Sequence, residues 1–172
     1  MENSMDAGAT KVEIRIKEDK GADRLTLEVK DNGYGMDKDI LKRASDCFFT
    51  AKPGKRFGFG IPFLMQAARE CDGNFSINSA PNRGTSISAS FKRSHIDIKP
   101  LGDMGSTMTV LICGHPEIDY LLLYEKNGFS YCLDTEKLKA DLGGVPINTP
   151  GVLRLIKEDV NEALGTLAKQ LG

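Results

Sequence analysis

The sequence predicts an α/β two-layer sandwich, a mixed and mainly antiparallel sheet with helices on one face, followed by a small C-terminal α+β extension. Three observations carry that expectation. Pairs of short alternating segments, KVEIRIK with RLTLEVK and NFSINS with TSISASF, bracket stretches of helical character. Turn signals punctuate the chain at Asp72-Gly73, APNRG and Asn127-Gly128. The composition, 40% hydrophobic and 27% charged over 172 residues, is that of an ordinary globular chain long enough to bury a core without staples.

A short helical segment opens the chain. In KVEIRIK, Val12, Ile14 and Ile16 share one face, as do Leu25, Leu27 and Val29 in RLTLEVK. The polar EDKGAD connection makes the pair two half-buried strands. Asp37 can cap a helix carrying Ile40, Leu41 and Ala44. After a glycine-rich loop, the segment from Ile61 to Cys71 is apolar on most sides, which predicts a deeply buried helix ending at Asp72-Gly73. NFSINS and TSISASF are strands around APNRG.

A soft boundary at residues 93–103 separates a domain of residues 1–93 from an extension of residues 94–172. In the extension HIDIK and MTVLIC read as strands, and YLLLY, Asn127-Gly128 and FSYCL as a hairpin. Asp134 or Thr135 can cap a short helix ended by Gly143-Gly144. Thr149-Pro150 opens a final amphipathic helix, with proline at its first position.

The net charge of −1 hides a split, since residues 1–93 carry 16 Lys+Arg against 13 Asp+Glu and residues 94–172 carry 7 against 11. A domain of +3 and an extension of −4 lack the dense basic stripe of a nucleic-acid binder. No apolar run approaches the roughly 20 residues that span a bilayer, and no leader pattern opens the chain, so a cytoplasmic protein without a membrane anchor is expected. Cys47, Cys71, Cys113 and Cys132 form no C-x-x-C pair and there are only two histidines, so buried reduced thiols are expected and no zinc framework.

Three segments carry candidate chemistry. ENSMDAGAT at the start holds Asn3, Asp6, Ala7 and Gly8; DNGYGM, Asp31 to Met36, follows a strand; FFTAKPGKRFGFGI, Phe48 to Ile61, runs into a helix. A fourth element, Gly84-Thr85, starts the last strand of the first domain. The third segment has what a polyphosphate site needs: Gly58 and Gly60 for close backbone approach, a helix N-terminus, and the cations Lys52, Lys55 and Arg56. Those cations suit either lid-surface charge or direct phosphate contact. In DNGYGM a carboxylate sits on a tight glycine turn at a strand end, where it could accept from a ring amino group.

Taken together in this order, the segments resemble the GHKL ATPase superfamily, whose ATP-binding domain has the Bergerat fold and which includes gyrase B, the ninety-kilodalton heat-shock chaperone, sensor histidine kinases and MutL. ENSMDAGAT looks most like the MutL N-box; FFTAKP, GFGI, Asp72-Gly73 and Gly84-Thr85 look most like a histidine kinase. The resemblance covers about residues 1–93. It implies ATP and Mg²⁺ as ligands, with Asn3 on the metal beside Ala7, and Asp31 on the adenine amino group. It also implies that Gly33 and Gly35 make room for the base, Met36 packs near it, and Lys52, Gly58 and Gly60 belong to a mobile lid. Thr85 would support Asp31 through a water.

Hydrolysing members use a glutamate four residues before the N-box asparagine, because i and i+4 stack on one helical face. That position would fall before Met1, and Glu2, about 100° away around the helix, is a poor substitute. A truncated start is favoured over a lost base. The expectation is a Mg-ATP-binding domain of an ATPase, a kinase-type phosphotransferase or another signal-transduction protein. The alternative is a non-hydrolysing, nucleotide-gated interaction module of the anti-sigma kind. A protein partner on the extension is expected, with a homodimer as an open alternative. His95 and His115 lie outside any helical dimerisation hairpin and are not read as phosphoacceptors.

Overall fold

The computed structural model describes residues 2–44 and 60–170. Helix α1, Glu2–Asp6, leads into β1, Lys11–Asp19, and β2, Arg24–Asp31. These strands pair antiparallel from Val12↔Asp31 to Asp19↔Arg24, so the alternation puts Val12, Ile14 and Ile16 opposite Asp31, Val29 and Leu27 on one face. Asp37 caps α2, Lys38–Arg43, by accepting from the amides of Asp39 and Ile40 at 2.9 and 2.8 Å. Helix α3 is Gly60–Glu70, β3 is Phe75–Ser79 and β4 is Thr85–Lys92. Helix α4, Met104–Gly114, leads into the hairpin β5, Asp119–Lys126, and β6, Phe129–Asp134; α5, Thr135–Asp141, and α6, Pro150–Gln170, follow.

The strands form one six-stranded sheet in the order β3-β4-β2-β1-β5-β6. All neighbours are antiparallel except β1 and β5, which run parallel from Lys11↔Asp119 to Glu18↔Lys126. The strands before and after residues 93–103 therefore belong to one sheet. One core joins Val12, Ile14 and Ile16 to Tyr120, Leu122 and Tyr124, and to Met104, Met108 and Ile112 of α4. Each such fully buried side chain contributes roughly 1.5–3 kcal/mol, so the parallel seam is as much core as the antiparallel ones. No helix among the described residues is long and apolar enough to cross a membrane.

Four expectations are corrected. MTVLIC lies in α4, where Asp103 accepts from the Ser106 amide as N-cap and Met104, Met108 and Ile112 repeat at four-residue spacing toward the core. HIDIK pairs with no strand among the described residues; it lies in turns and irregular backbone, with Ile96 exposed. Helix α3 buries only Pro62 and Ala68 and leaves Phe63 exposed, so it is amphipathic. The expected buried thiols hold for Cys71, whose pKa desolvation raises, but not for Cys113 and Cys132, which are exposed; Cys47 lies outside the described residues. Cys132 is opposite Leu123 on the uncovered sheet face. Helix α3 ends as the sequence predicts. Asp72 takes φ +51, and the Gly73 amide donates to the Ala68 carbonyl at 2.8 Å. A Cβ on Gly73 would lie 1.7 Å from the Ser90 carbonyl oxygen.

Candidate nucleotide site

Asp31 is the last residue of β2, and the period of two that buries Leu25 puts its carboxylate on the helix-covered face. It is buried, so its oxygens need donors. Ser4 Oγ donates to Oδ2 at 2.8 Å, and the amides of Gly33 and Thr85 donate to Oδ1 at 3.0 and 3.1 Å. A carboxylate offers about four acceptor positions. Among the described residues three neutral donors therefore leave one position unused, on Oδ2. Among the described residues Asp31 has no ion pair.

The DNGYGM loop is pinned on two sides. Toward α1, the Tyr34 amide donates to the Ala7 carbonyl at 2.9 Å. A Cβ on Gly33 would sit 2.7 Å from both the Ala7 Cβ and its carbonyl oxygen. Toward the β3–β4 turn, the Asn82 amide donates to the Tyr34 carbonyl at 2.7 Å, and the Met36 amide to Ser79 Oγ at 2.8 Å. Gly35, at φ +69, has no room for a side chain because the Ala80 carbonyl oxygen would be 2.1 Å away. Protein atoms thus occupy the room these two glycines give.

Asn3 is exposed on α1 beside the buried Ser4, Ala7 follows at the end of that helix, and Met36 is half-buried beyond Gly35. Thr85 meets Asp31 directly through its backbone amide, while its hydroxyl lies 3.0 Å from Ser79 Oγ. Gly60 begins α3 and is exposed. The structure therefore brings Ala7, Asp31, Gly33, Gly35, Met36 and Thr85 together, with Asn3 on the adjoining helix. Lys52 and Gly58, with Lys55 and Arg56, lie outside the described residues. A depression lined by Glu13, Arg15, Glu28, Lys30 and Ser86 opens on the uncovered face of the sheet. It is not this site.

Sequence reasoning missed three residues. Ser4 holds Asp31; its signal was its place beside Asn3 in a helix only five residues long. Asn32 accepts from the amides of Thr10 and Lys11 at 2.9 Å each and donates to Thr10 Oγ1 at 2.8 Å. Ser79 ties Met36 to Gly84, whose carbonyl accepts from Ser79 Oγ at 2.9 Å; no local pattern marks it.

A buried carboxylate at a strand end, cradled by an N-terminal helix and two glycine turns on a helix-covered mixed sheet, defines a GHKL-type α/β sandwich. Residues 1–95 match the histidine kinase-, DNA gyrase B-, and HSP90-like ATPase family, and the chain belongs to it. The domain is of the histidine kinase and MutL type. It is 36% identical over 73 residues to the sensor histidine kinase YxdK of Bacillus subtilis, covering 40% of this chain and 22% of the kinase. It is 46% identical over 52 residues to the DNA mismatch repair protein MutL of Shewanella piezotolerans, covering 30% of this chain and 8% of MutL. The chain thus spans less than a quarter of either relative. The crystal structure of the N-terminal domain of a DNA repair protein shares the fold, with a TM-score of 0.51 over 77% of this chain and 49% of that one. At 18% identity this likeness is of fold alone, and its coverage exceeds what residues 1–95 supply.

Proposed function

We propose that residues 1–93 bind Mg-ATP, with Asp31 accepting a hydrogen bond from the adenine amino group. The observation that carries this reading is the donor count at Asp31, where three neutral donors hold a buried carboxylate and leave one acceptor position on Oδ2. A buried carboxylate that keeps an acceptor position open has room for one further donor. An acceptor fixed by two backbone amides favours a ring that presents a donor over one that presents a carbonyl. The donor set fits the family's nucleotide, and Asn3, exposed on the adjoining helix, has a side-chain carbonyl oxygen that fits the magnesium ion. The metal, when bound, would offset phosphate charge. Ser4 and Thr85 orient Asp31, Gly33 and Gly35 let the loop close against Ala7 and Ala80, and Met36 lies beside the loop. In this reading Lys52, Gly58 and Gly60 belong to the segment over the phosphates.

Residues 94–172, which carry the acidic excess, are read as an extension that meets a protein partner or a second copy in the cytoplasm, in a signalling role. Equilibrium titration with nucleotide tests the binding proposal. Mg-ATP should bind, Mg-GTP should bind at least tenfold more weakly because its ring carries a carbonyl in place of the amino group, and Lys52→Ala should weaken ATP without abolishing it. Equal affinity for the two nucleotides would remove Asp31 from the role assigned to it.

A further inference from the structure

The connection from α1 to β1 is held from both sides. On the site side, Asn32 clamps the amides of Thr10 and Lys11 with one carbonyl oxygen, and its own backbone amide donates to the Lys11 carbonyl at 3.3 Å. Asn32 is the residue after Asp31, so this clamp adjoins the candidate binding carboxylate. On the other side, the Asp119 amide donates to the Thr10 carbonyl at 2.9 Å, and Lys11 Nζ donates to Glu136 Oε2 in the first turn of α5 at 2.8 Å. Helix α5 is fixed to the same junction again. Lys139 Nζ reaches Asp119 Oδ1 at 2.7 Å and the Ile118 carbonyl at 2.9 Å, and the buried Thr135 accepts from the Tyr120 amide at 2.7 Å. Two consecutive residues, Thr10 and Lys11, thus stand between the Asp31 turn and both ends of α5.

We propose that Thr10 and Lys11 couple the nucleotide site to α5, so that occupancy of the Asp31 site tightens α5 and a perturbation of α5 loosens the Asp31 turn. The proposal rests on the ATP-binding reading for its ligand and not for its geometry. Coupling between two sites is reciprocal, so it can be read from either end. Its size is bounded by the exposed Lys11–Glu136 pair, side chains 50% and 59% accessible, which limits the effect to about two- to fivefold.

Amide hydrogen exchange on the intact chain tests it without requiring nucleotide. In the free protein, Lys11→Met and Glu136→Gln should each speed exchange at Gly33 and Tyr34 by about two- to fivefold, and the double variant should do no more than either single one. With nucleotide, Mg-ATP should slow exchange across Glu136–Asp141, and both variants should weaken ATP binding by the same factor. Unchanged exchange at Gly33 and Tyr34 in correctly folded variants would overturn the coupling, whatever the chain binds. If Asp31→Asn abolishes ATP binding while the α5 variants bind as the wild type does, the coupling fails and the nucleotide reading stands. If the wild type binds no ATP, the nucleotide reading fails and the free-protein exchange still decides the coupling.

Discussion

The sheet has a carboxylate at each end, and the two are built differently. At one end Asp31 is held by a hydroxyl and two backbone amides, all neutral. At the other, Glu18 on β1 accepts from Tyr124 Oη at 2.6 Å and faces two cations, Lys126 Nζ at 3.5 Å and Arg93 Nε at 3.4 Å. Lys126 is among the few buried charged residues, and its aliphatic stem lies on the alternating buried face of β5. The Tyr124 phenol pKa is driven up, first by desolvation and then by its hydrogen bond to Glu18. Glu18 is neutralised in place and ties β1, β5 and the chain after β4 together. Asp31 has no cation on it among the described residues and keeps an acceptor position available. One carboxylate is paired with cations, and the other is the one proposed above to receive a ligand.

Substitutions at the two ends should separate these roles. The largest effect on stability is expected at Gly84, which has φ +71 and where an added Cβ would lie 1.9 Å from the Asp31 carbonyl oxygen. Backbone cannot yield as a side chain can, so Gly84→Ala should cost about 2–3 kcal/mol in urea denaturation and displace the Asp31 turn. At the far end, Lys126→Met removes one cation but leaves Glu18 with Arg93 and Tyr124. The expected loss is about 2 kcal/mol, below the range for a buried charge left alone, with nucleotide affinity unchanged within twofold. Ser4→Ala takes one donor from Asp31 and should cost about 1 kcal/mol.

The smallest effect is pH-dependent. Asp103 accepts from the Ser106 hydroxyl and amide and from Asn161, which hold its carboxyl down to about 2 from an ordinary 3.8. A depressed carboxyl stabilises the fold above its unfolded value and loses that contribution as pH falls through its folded value. The melting-temperature gap between wild type and Asp103→Asn should therefore be full above about pH 4 and shrink toward pH 2.

Much of this was legible in the sequence where the information is local. Period-two alternation gave β1 and β2 together with their buried face, Asp37 and Asp134 capped the helices they precede, and Asn127-Gly128 closed the β5–β6 hairpin. Helix α4 was misread because MTVLIC is apolar on nearly every side, so periodicity cannot separate a buried helix from a buried strand. The parallel pairing of β1 with β5 depends on contacts about a hundred residues apart, which no local pattern encodes. At the site, Asp31, Gly33 and Gly35 stood out as residue types. What occupies the glycines' space, the backbone of Ala7 and Ala80, is a tertiary fact. Ser4 and Ser79 passed unnoticed for the same reason, since a serine acquires its role only from what folds against it.

The central claim is that the unused acceptor of Asp31 is what receives the ligand, and calorimetric titration of Mg-ATP into wild type, Asp31→Asn and Lys126→Met tests it most directly. Wild type and Lys126→Met should bind alike, although Lys126→Met is the less stable protein, while Asp31→Asn should stay folded by circular dichroism and lose roughly 100-fold or more in affinity. Equal binding by wild type and a folded Asp31→Asn would contradict the account.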